Sequence, residues 1–138
     1  MKTREELIAI AIAHAQSESG NDIALTLSTL EPDPVYELQP VGRVLRGMPA
    51  ARAYYEHFFA RFRPLVAGFQ LRGEWVNDEG VGQEYLVTLR APEGGVERHH
   101  VIGILTFGEN ALSGERVYAS ERLLRLMFGP AYDLTEPL

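Results

Sequence analysis

The spacing of apolar residues changes once along this chain, near Val66, and that change restricts the folds the chain can adopt. Before Val66 the apolar residues recur every three or four positions, which predicts amphipathic helices. After it they alternate with polar residues, which predicts strands whose two faces differ. Turn sequences at 77–80, 92–95 and 108–110 divide this second half into four strands. Helices followed by a strand meander indicate an α+β protein with its helices on one face of a curved antiparallel sheet.

The first half of the chain holds the predicted helices and a short strand pair. Thr3 and Glu6 form a capping box that begins the first helix, and Pro49 lies in the first turn of the third. The predicted elements, in order, are helices at 3–17 and 21–30, strands at 35–39 and 41–46, a helix at 49–63, strands at 66–75, 81–91, 96–107 and 112–120, and an apolar terminal segment at 123–128. We expect one domain over 1–130, followed by a loose tail at 131–138.

Composition and charge argue against several classes of function. The chain has 138 residues, of which 46% are hydrophobic and 23% charged, and its formal net charge is -6. An acidic chain without a basic run is not expected to bind nucleic acid or an anionic membrane surface. The absence of cysteine excludes disulfides, thiolate nucleophiles and cysteine-based metal sites. No apolar run reaches transmembrane length, and the capping box favours a folded helix over a signal peptide, so we expect a cytoplasmic protein.

Short segments between Leu7 and Gly129 resemble the SnoaL-like, or ketosteroid-isomerase-like, branch of the nuclear transport factor 2 superfamily. The segments, in order, are Gly20-Asn21-Asp22, Asp33-Pro34-Val35-Tyr36-Glu37, Arg46-Gly47-Met48-Pro49, Ala53-Tyr54-Tyr55, Gln83-Glu84-Tyr85, Val101-Ile102-Gly103-Ile104 and Gly114-Glu115-Arg116-Val117-Tyr118. The resemblance implies a cone-shaped barrel, in which a strongly curved, mainly antiparallel sheet carries three N-terminal-half helices on its concave face. It also implies an apolar pocket and a homodimer formed through the outer face of the sheet.

The resemblance indicates where related enzymes place their catalytic groups. The general base of ketosteroid isomerases falls on Leu38, and the protonated aspartate of their oxyanion hole falls on Gly103. In proteins similar to limonene-epoxide hydrolases, the arginine falls on Tyr85 and the aspartates fall on Val87 and Val117. For the aspartate that SnoaL-like cyclases carry on the last strand, the nearest equivalents are Val117 and Ser120. Since none of these positions carries an acid or base here, the usual family routes are not expected.

His99 and Glu115 are the candidate catalytic residues. His99 shares a strand face with Val101 and Gly103, the face expected to point inward, where a histidine can act as an acid or base near neutral pH. The alternative is a solvated or satisfied histidine near the start of its strand. Glu115 shares a face with Val117, and inside a pocket the pKa of its carboxyl would be raised. The alternative for Glu115 is a salt bridge to a nearby arginine.

Tyrosines on several elements are expected to converge on the same pocket, where their hydroxyls can orient a ligand. The alternative for each is packing within an aromatic core. The predicted ligand-binding residues are Tyr36, Leu38, Tyr55, Phe59, Tyr85, Val87, Val101, Gly103, Val117 and Tyr118.

A pair of potential metal ligands lies on the first helix. His14 and Glu18 are one helical turn apart, a spacing that can bring two ligands together. No third ligand can be assigned from the sequence, and a capped, solvated helix end is the preferred interpretation. We therefore predict no metal and no cofactor.

Two functions stay open from the sequence. One is a cofactor-free enzyme of the isomerase, cyclase or hydrolase type, acting on a small apolar carbonyl or polyketide-like compound. The other is a non-catalytic binding protein for an apolar small molecule, which the absence of the family's aspartates favours. A third hypothesis is a structural dimer in which the fold serves only association.

Overall fold

A computed structural model describes all 138 residues of the chain. The helices are α1 (Arg4–Gly20), α2 (Ile23–Ser28), α3 (Met48–His57) and α4 (Glu121–Phe128). The strands are β1 (Leu30–Gln39), β2 (Arg43–Arg46), β3 (Val66–Val76), β4 (Gly80–Arg90), β5 (Val96–Phe107), β6 (Leu112–Tyr118) and β7 (Glu136–Pro137). No helix is both long enough and apolar enough to cross a membrane.

Seven strands form one curved sheet in the order β3-β4-β5-β6-β1-β2-β7. Neighbouring strands are antiparallel except β1 and β6, which run parallel. The predicted α+β fold with a mainly antiparallel sheet is therefore confirmed. The sheet does not close into a barrel, because its edge strands β3 and β7 do not pair and β7 contains only two residues.

The register of the central strands decides which residues share the inner face of the sheet. Val101 of β5 pairs with Tyr85 of β4, and Gly103 pairs with Val117 of β6. Residues directly opposite each other, and residues two positions apart, lie on the same face. These four residues therefore line the side of the sheet that faces the helices, as the alternation in the sequence predicts.

The outer face of the sheet carries the residues that alternate with this inner set. Ile102 pairs with Tyr118, and Ile104 pairs with Arg116. The side chains of Tyr118 and of Trp75 on β3 are 40% and 46% exposed. This face also carries charged residues, including Glu84 and Arg116, so it is mixed in character, and the homodimer stays a prediction.

Local capping defines the ends of the N-terminal helices. The Thr3 hydroxyl accepts from the backbone of Glu6, whose carboxylate accepts from the backbone of Thr3, so the predicted capping box is present. Asn21 ends α1 in the left-handed conformation, with a φ of 58°, and Asp22 caps α2. Four residues at helical spacing make up the buried face of α1: Leu7, Ala11, His14 and Ser17.

The third helix does not continue as a regular α-helix to its end. A π-helical turn occupies Phe58–Phe62, and a 3-10 turn occupies Arg63–Leu65. The sequence predicts one continuous helix over 49–63, because Ala51, Tyr55, Phe59 and Phe62 recur at helical spacing. Such turns are frequent at functional sites. Three residues of this segment line the cavity described below: Phe58, Phe62 and Arg63.

Residues 131–138 are not the loose tail that the sequence predicts. A 3-10 turn covers Gly129–Leu134, and Glu136–Pro137 pairs with β2. Thr135 is buried, and Arg43 donates to its hydroxyl and carbonyl oxygens at 2.6 and 2.8 Å. The prediction is wrong because contacts with distant residues order this segment, and its own sequence has no periodic pattern that would reveal them.

Candidate functional site

A mainly apolar cavity lies between the inner face of the sheet and the helices. Its volume is about 410 Å³, and thirteen of its twenty lining residues are hydrophobic. The lining residues are Ala15, Glu18, Ser19, Tyr54, Phe58, Phe62, Arg63, Val66, Gly68, Phe69, Gln83, Tyr85, Val87, Val101, Gly103, Leu105, Glu115, Val117, Leu123 and Met127. A cavity of this size and composition suits a small, largely apolar molecule.

Glu115 projects from β6 into this cavity. Its carboxyl lies over Gly103 of the neighbouring strand, where a Cβ atom would come within 2.6 Å of Oε2. The glycine therefore leaves the space that the carboxyl fills. The carboxyl makes no hydrogen bond or ion pair within the protein, so the predicted alternative of a salt bridge is not observed. Burial raises the pKa of Glu115 to about 7, because the apolar surroundings disfavour its charged form.

Glu18, near the C-terminal end of α1, contributes a second carboxyl to the cavity lining. Its side chain is 28% exposed, whereas the sequence predicts a solvated helix end. Burial raises its pKa well above the usual range, and the nearby charge of Glu115 raises it further. The positive charge of Arg63 opposes both effects. Two carboxyls with raised pKa values therefore face one apolar cavity.

A buried hydrogen-bond chain stands behind Glu18. The ring of His14 is fully buried, with Nδ1 2.7 Å from Thr29 Oγ1 and Nε2 3.1 Å from the Tyr55 hydroxyl. Thr29 uses its single hydroxyl proton to donate to the carbonyl of Thr26, at 2.6 Å. It must therefore accept from His14, which assigns the proton to Nδ1. Nε2 is then an acceptor, and Glu18 Oε1 lies 3.5 Å from it.

The direction of this chain follows from the same count of protons. Because His14 Nε2 accepts, the Tyr55 hydroxyl donates to it, and the Tyr36 hydroxyl, 2.6 Å away, donates to Tyr55. Burial lowers the pKa of His14 to about 4, so the ring is neutral at neutral pH and can play this part. The chain fixes three large side chains in one arrangement behind the cavity wall.

Tyr54 and Tyr55 are neighbours with different roles. Tyr54 lines the cavity, and its ring stacks on Phe128 with centroids 4.0 Å apart. Its hydroxyl makes no hydrogen bond within the protein, yet no buried polar atom is left unpaired, so this oxygen reaches the cavity surface. Burial raises the pKa of Tyr54 well above its usual range, which keeps the hydroxyl protonated as a donor. Tyr55 instead lies one layer behind, within the buried chain.

His99 does not reach the cavity. It shares the inner face of β5 with Val101, but its Nε2 bonds to Glu97 Oε1 at 2.8 Å, and its Nδ1 lies 3.4 Å from Ser120 Oγ. Arg122 also donates to Glu97, and these hydrogen bonds lower the pKa of Glu97 to about 2. The structure therefore corresponds to the alternative interpretation, a satisfied histidine near the start of its strand.

The other predicted residues divide into cavity, core and surface groups. The predicted ligand-binding residues that line the cavity are Tyr85, Val87, Val101, Gly103 and Val117. Those that lie in the buried core instead are Tyr36, Leu38, Tyr55 and Phe59. Tyr118 points to the outer face of the sheet. Of the two predicted catalytic residues, Glu115 alone is at the cavity.

Five polar cavity residues were not predicted from the sequence as site residues: Glu18, Ser19, Tyr54, Arg63 and Gln83. The signal for Glu18 is present in the sequence, because it follows Ala11 by seven positions and His14 by four on the buried side of α1. Arg63 follows an irregular turn that sequence spacing does not reveal. No group of three or more potential ligands could hold a metal ion, and His14 Nδ1 is already used by Thr29.

No family model matches this chain, and no curated protein matches it. Comparison with solved structures nevertheless gives a consistent result. A protein assigned as a SnoaL-like polyketide cyclase from Jannaschia sp. CCS1 has a TM-score of 0.69 at 12% identity, over 94% of this chain and 98% of that one. A protein assigned as an isomerase from Bacillus subtilis has a TM-score of 0.68 at 15% identity, over 94% of this chain and 96% of the other.

A third similar structure is a nuclear transport factor 2-like protein of unknown function from Burkholderia xenovorans LB400. Its TM-score is 0.64 at 19% identity, and the match covers 84% of each chain. These similarities confirm the predicted nuclear transport factor 2-like fold. At such low identity they describe the fold alone, so an activity has to be argued from the side chains of the cavity.

Proposed function

We propose that this nuclear transport factor 2-like protein is a cofactor-free enzyme that moves a proton on a small apolar carbonyl compound. The observation that carries the proposal is the presence of two carboxyls, Glu115 and Glu18, in one apolar cavity with raised pKa values. Enzymes that act at neutral pH commonly use two titratable groups with different pKa values, one as the acid and the other as the base. Buried charges without such a role are rare, because they destabilise the fold.

Each residue has a distinct part in this reaction. With a pKa of about 7, Glu115 is populated in its ionised form at neutral pH and takes a proton from the carbon next to the substrate carbonyl. The electron pair of that C–H bond forms a C=C bond to the carbonyl carbon, and the π pair of the carbonyl moves onto its oxygen, giving an enolate. The hydroxyl of Tyr54 donates a hydrogen bond to this oxygen. In a substrate with a C=C bond next to the deprotonated carbon, the enolate is a dienolate, and Glu115 returns the proton to its far carbon, which moves the double bond and completes an isomerisation without any other reactant.

Glu18 is assigned the role of second acid. Burial raises its pKa well above the usual range, which favours the protonated carboxyl that can donate to the substrate. The position of Glu115 also supports the proposed enzyme. Its carboxyl lies over Gly103, the position at which ketosteroid isomerases carry an aspartate, so an acid reaches this part of the cavity although residue 103 itself is a glycine.

A non-catalytic binding protein is the second candidate. The observation that favours it is the predominance of hydrophobic residues in the lining, including Leu105, Val87 and Val117 on the sheet. Such a protein would bind an apolar molecule and leave its C–H bonds unchanged. The two candidates therefore predict different results in one proton-exchange experiment.

The test uses exchange of acidic C–H protons of an apolar ketone, β-tetralone, for deuterium, followed by NMR in heavy water. We expect the wild-type protein to accelerate exchange, with a rate that rises with pH through about 7, since only ionised Glu115 is a base. Replacing Glu115→Gln should lower this rate by about 100-fold or more. The matched control is Glu56→Gln, because Glu56 is exposed and lies outside the cavity.

Equal exchange rates in wild type and Glu115→Gln would contradict the assigned role of Glu115. If tetralone binds but its proton exchange is not accelerated, the proposed enzyme function is contradicted and the non-catalytic binding function is favoured. Both proteins should be compared at equal folded fraction, which far-UV circular dichroism measures.

A further inference from the structure

We infer that the ligand of this cavity is an apolar acid, whose anionic group is held by Arg63. This inference deepens the proposed function by naming the class of substrate, and it rests on the same cavity being the functional site. The substrate would be a small oxo acid: the carbonyl is processed by Glu115, and a carboxylate or an equivalent acidic group binds at Arg63.

Arg63 is the one positively charged residue in the cavity lining. Its side chain is half-buried, in the 3-10 turn that follows the π-helical segment. The guanidinium lies 5.9 Å from the centroid of the Phe59 ring, an arrangement in which the aromatic face helps to fix it. The charge is therefore part of a defined wall of the cavity.

The guanidinium of Arg63 has no anionic partner within the protein. It forms no ion pair, whereas Arg43, Arg72 and Arg122 all bond to other side chains. Its charge influences Glu18, but the two side chains do not come within ion-pair distance. A partly buried guanidinium offers five N–H donors in a planar fork, which matches a carboxylate or phosphate. The ligand can supply the partner that the protein does not.

An amine is the obvious competing ligand, because two carboxyls face the cavity. However, burial raises the pKa of both carboxyls, which favours their uncharged forms, and it leaves Glu115 only partly ionised at neutral pH. An ammonium ion would also approach the fixed positive charge of Arg63. The permanent charge in this lining is therefore positive, which favours an anion.

The test compares three probes that share one naphthyl ring and differ in charge: naphthylacetate, naphthylethanol and naphthylethylamine. Each is titrated into the full-length protein at neutral pH, and affinity is measured by calorimetry. We expect naphthylacetate to bind at least about 10-fold more tightly than the alcohol, as is typical of hydrogen bonds to a charged group. The amine should bind no more tightly than the alcohol.

Two variants identify the residue responsible. Arg63→Gln should remove the preference for naphthylacetate and leave the affinity for the alcohol nearly unchanged. Arg61→Gln is the matched control, since Arg61 is exposed, lies two residues earlier and does not line the cavity. Arg63→Lys keeps the charge but not the planar fork, so we expect it to retain part of the preference.

The inference is overturned if the alcohol or the amine binds as tightly as the acid, if no probe binds the wild type, or if Arg63→Gln keeps the preference. These outcomes are separable from failure of the proposed function. Glu115→Gln should lose proton exchange on tetralone but still bind naphthylacetate. A protein that binds the acid through Arg63 without any exchange activity would support this inference alone.

Discussion

Glu115 and Gly103 lie on neighbouring strands and share one volume of space. The glycine provides room, and the glutamate fills that room with a carboxyl that has no partner. An uncompensated carboxyl in apolar surroundings destabilises the folded state whenever it is ionised. Proteins tolerate such groups mainly where function requires them. The free energy of unfolding should therefore decrease as Glu115 ionises.

The first consequence is a pH-dependent stability difference between wild type and Glu115→Gln. The carboxyl ionises at an ordinary pKa of 4.5 when unfolded and at about 7 when folded. As the pH rises through this window, the unfolded state loses its proton first, so the wild type loses stability. Above about 7 the loss is complete, at most about 3 kcal/mol. Glutamine cannot ionise, so the variant should be the more stable protein at pH 8 and should lose this advantage at pH 4.

Urea unfolding at a series of pH values measures this difference. His14, whose folded pKa is lowered to about 4, removes stability as the pH falls below its ordinary value, but it does so in both proteins and cancels. Glu56→Gln is the control, because that residue is exposed. A difference between wild type and Glu115→Gln that does not change with pH would show that Glu115 is not held in its protonated form.

Two adjacent tyrosines of α3 are expected to affect different properties: Tyr55 affects stability, and Tyr54 affects the exchange reaction. Tyr55→Phe removes the hydroxyl that joins His14 to Tyr36, leaving buried groups without partners, so we expect a loss of about 1–3 kcal/mol in stability. Tyr54→Phe breaks no internal hydrogen bond, so stability should stay within about 0.5 kcal/mol of wild type. Exchange on tetralone should fall in Tyr54→Phe, because its hydroxyl is the proposed donor to the substrate oxygen.

Chemical denaturation and the exchange assay together distinguish the two tyrosine variants. Each variant serves as the control for the other, since the same atom is removed from the same helix. If Tyr54→Phe loses as much stability as Tyr55→Phe, the Tyr54 hydroxyl has an internal partner and is not available to a substrate. If Tyr54→Phe exchanges tetralone as fast as wild type, its role as donor is contradicted.

At the level of elements, sequence spacing is informative about faces. Alternation along β5 and β6 depends only on adjacent residues, so Val101, Gly103 and Val117 could be assigned to the inner face. The same alternation does not show which inward-facing residues reach the cavity, because that depends on where the helices cover the sheet. His99 shares that face, yet it lies beyond the cavity, where Glu97 binds it.

Helix rotation limits the prediction in a similar way. The apolar spacing of the third helix identifies a stripe that includes Tyr55 and Phe59, and this stripe is the buried core. The cavity instead contacts the residues one position earlier, Tyr54 and Phe58, of which Phe58 also belongs to the predicted apolar face. One position corresponds to a rotation of about 100° around the helix. Which residues of an apolar face border an empty space depends on tertiary packing, and the sequence pattern carries no signal for it.

For the molecule as a whole, the C-terminal segment is part of the fold. Tyr132 lies between two arginines, 5.9 Å from Arg43 and 4.2 Å from Arg125, and Thr135 accepts a hydrogen bond from Arg43. A chain that ends at Phe128 loses the buried Tyr132 and these bonds. We expect its free energy of unfolding to fall by at least about 3 kcal/mol, the scale of removing a large buried side chain.

Urea unfolding of two truncated chains measures the contribution of the segment. The control ends at Glu136 and lacks the exposed Pro137 and Leu138, with one backbone hydrogen bond from Leu138 to Gly42, so its free energy of unfolding should fall by no more than about 1 kcal/mol. If residues 131–138 were the loose tail that the sequence predicts, neither truncation would change the free energy of unfolding. That result would contradict the ordered segment.

The edge position of β3 has a consequence for how proteins of this kind diverge. Phe69 lines the cavity, yet its side chain is 64% exposed, and its strand pairs on one side only. A substitution there meets few neighbours, whereas Glu115 lies in the middle of the sheet. Substitutions on this strand can therefore reshape one wall of the cavity while the carboxyl stays in place. In the course of evolution, substitutions on β3 can therefore change which ligand binds without moving the carboxyl of Glu115.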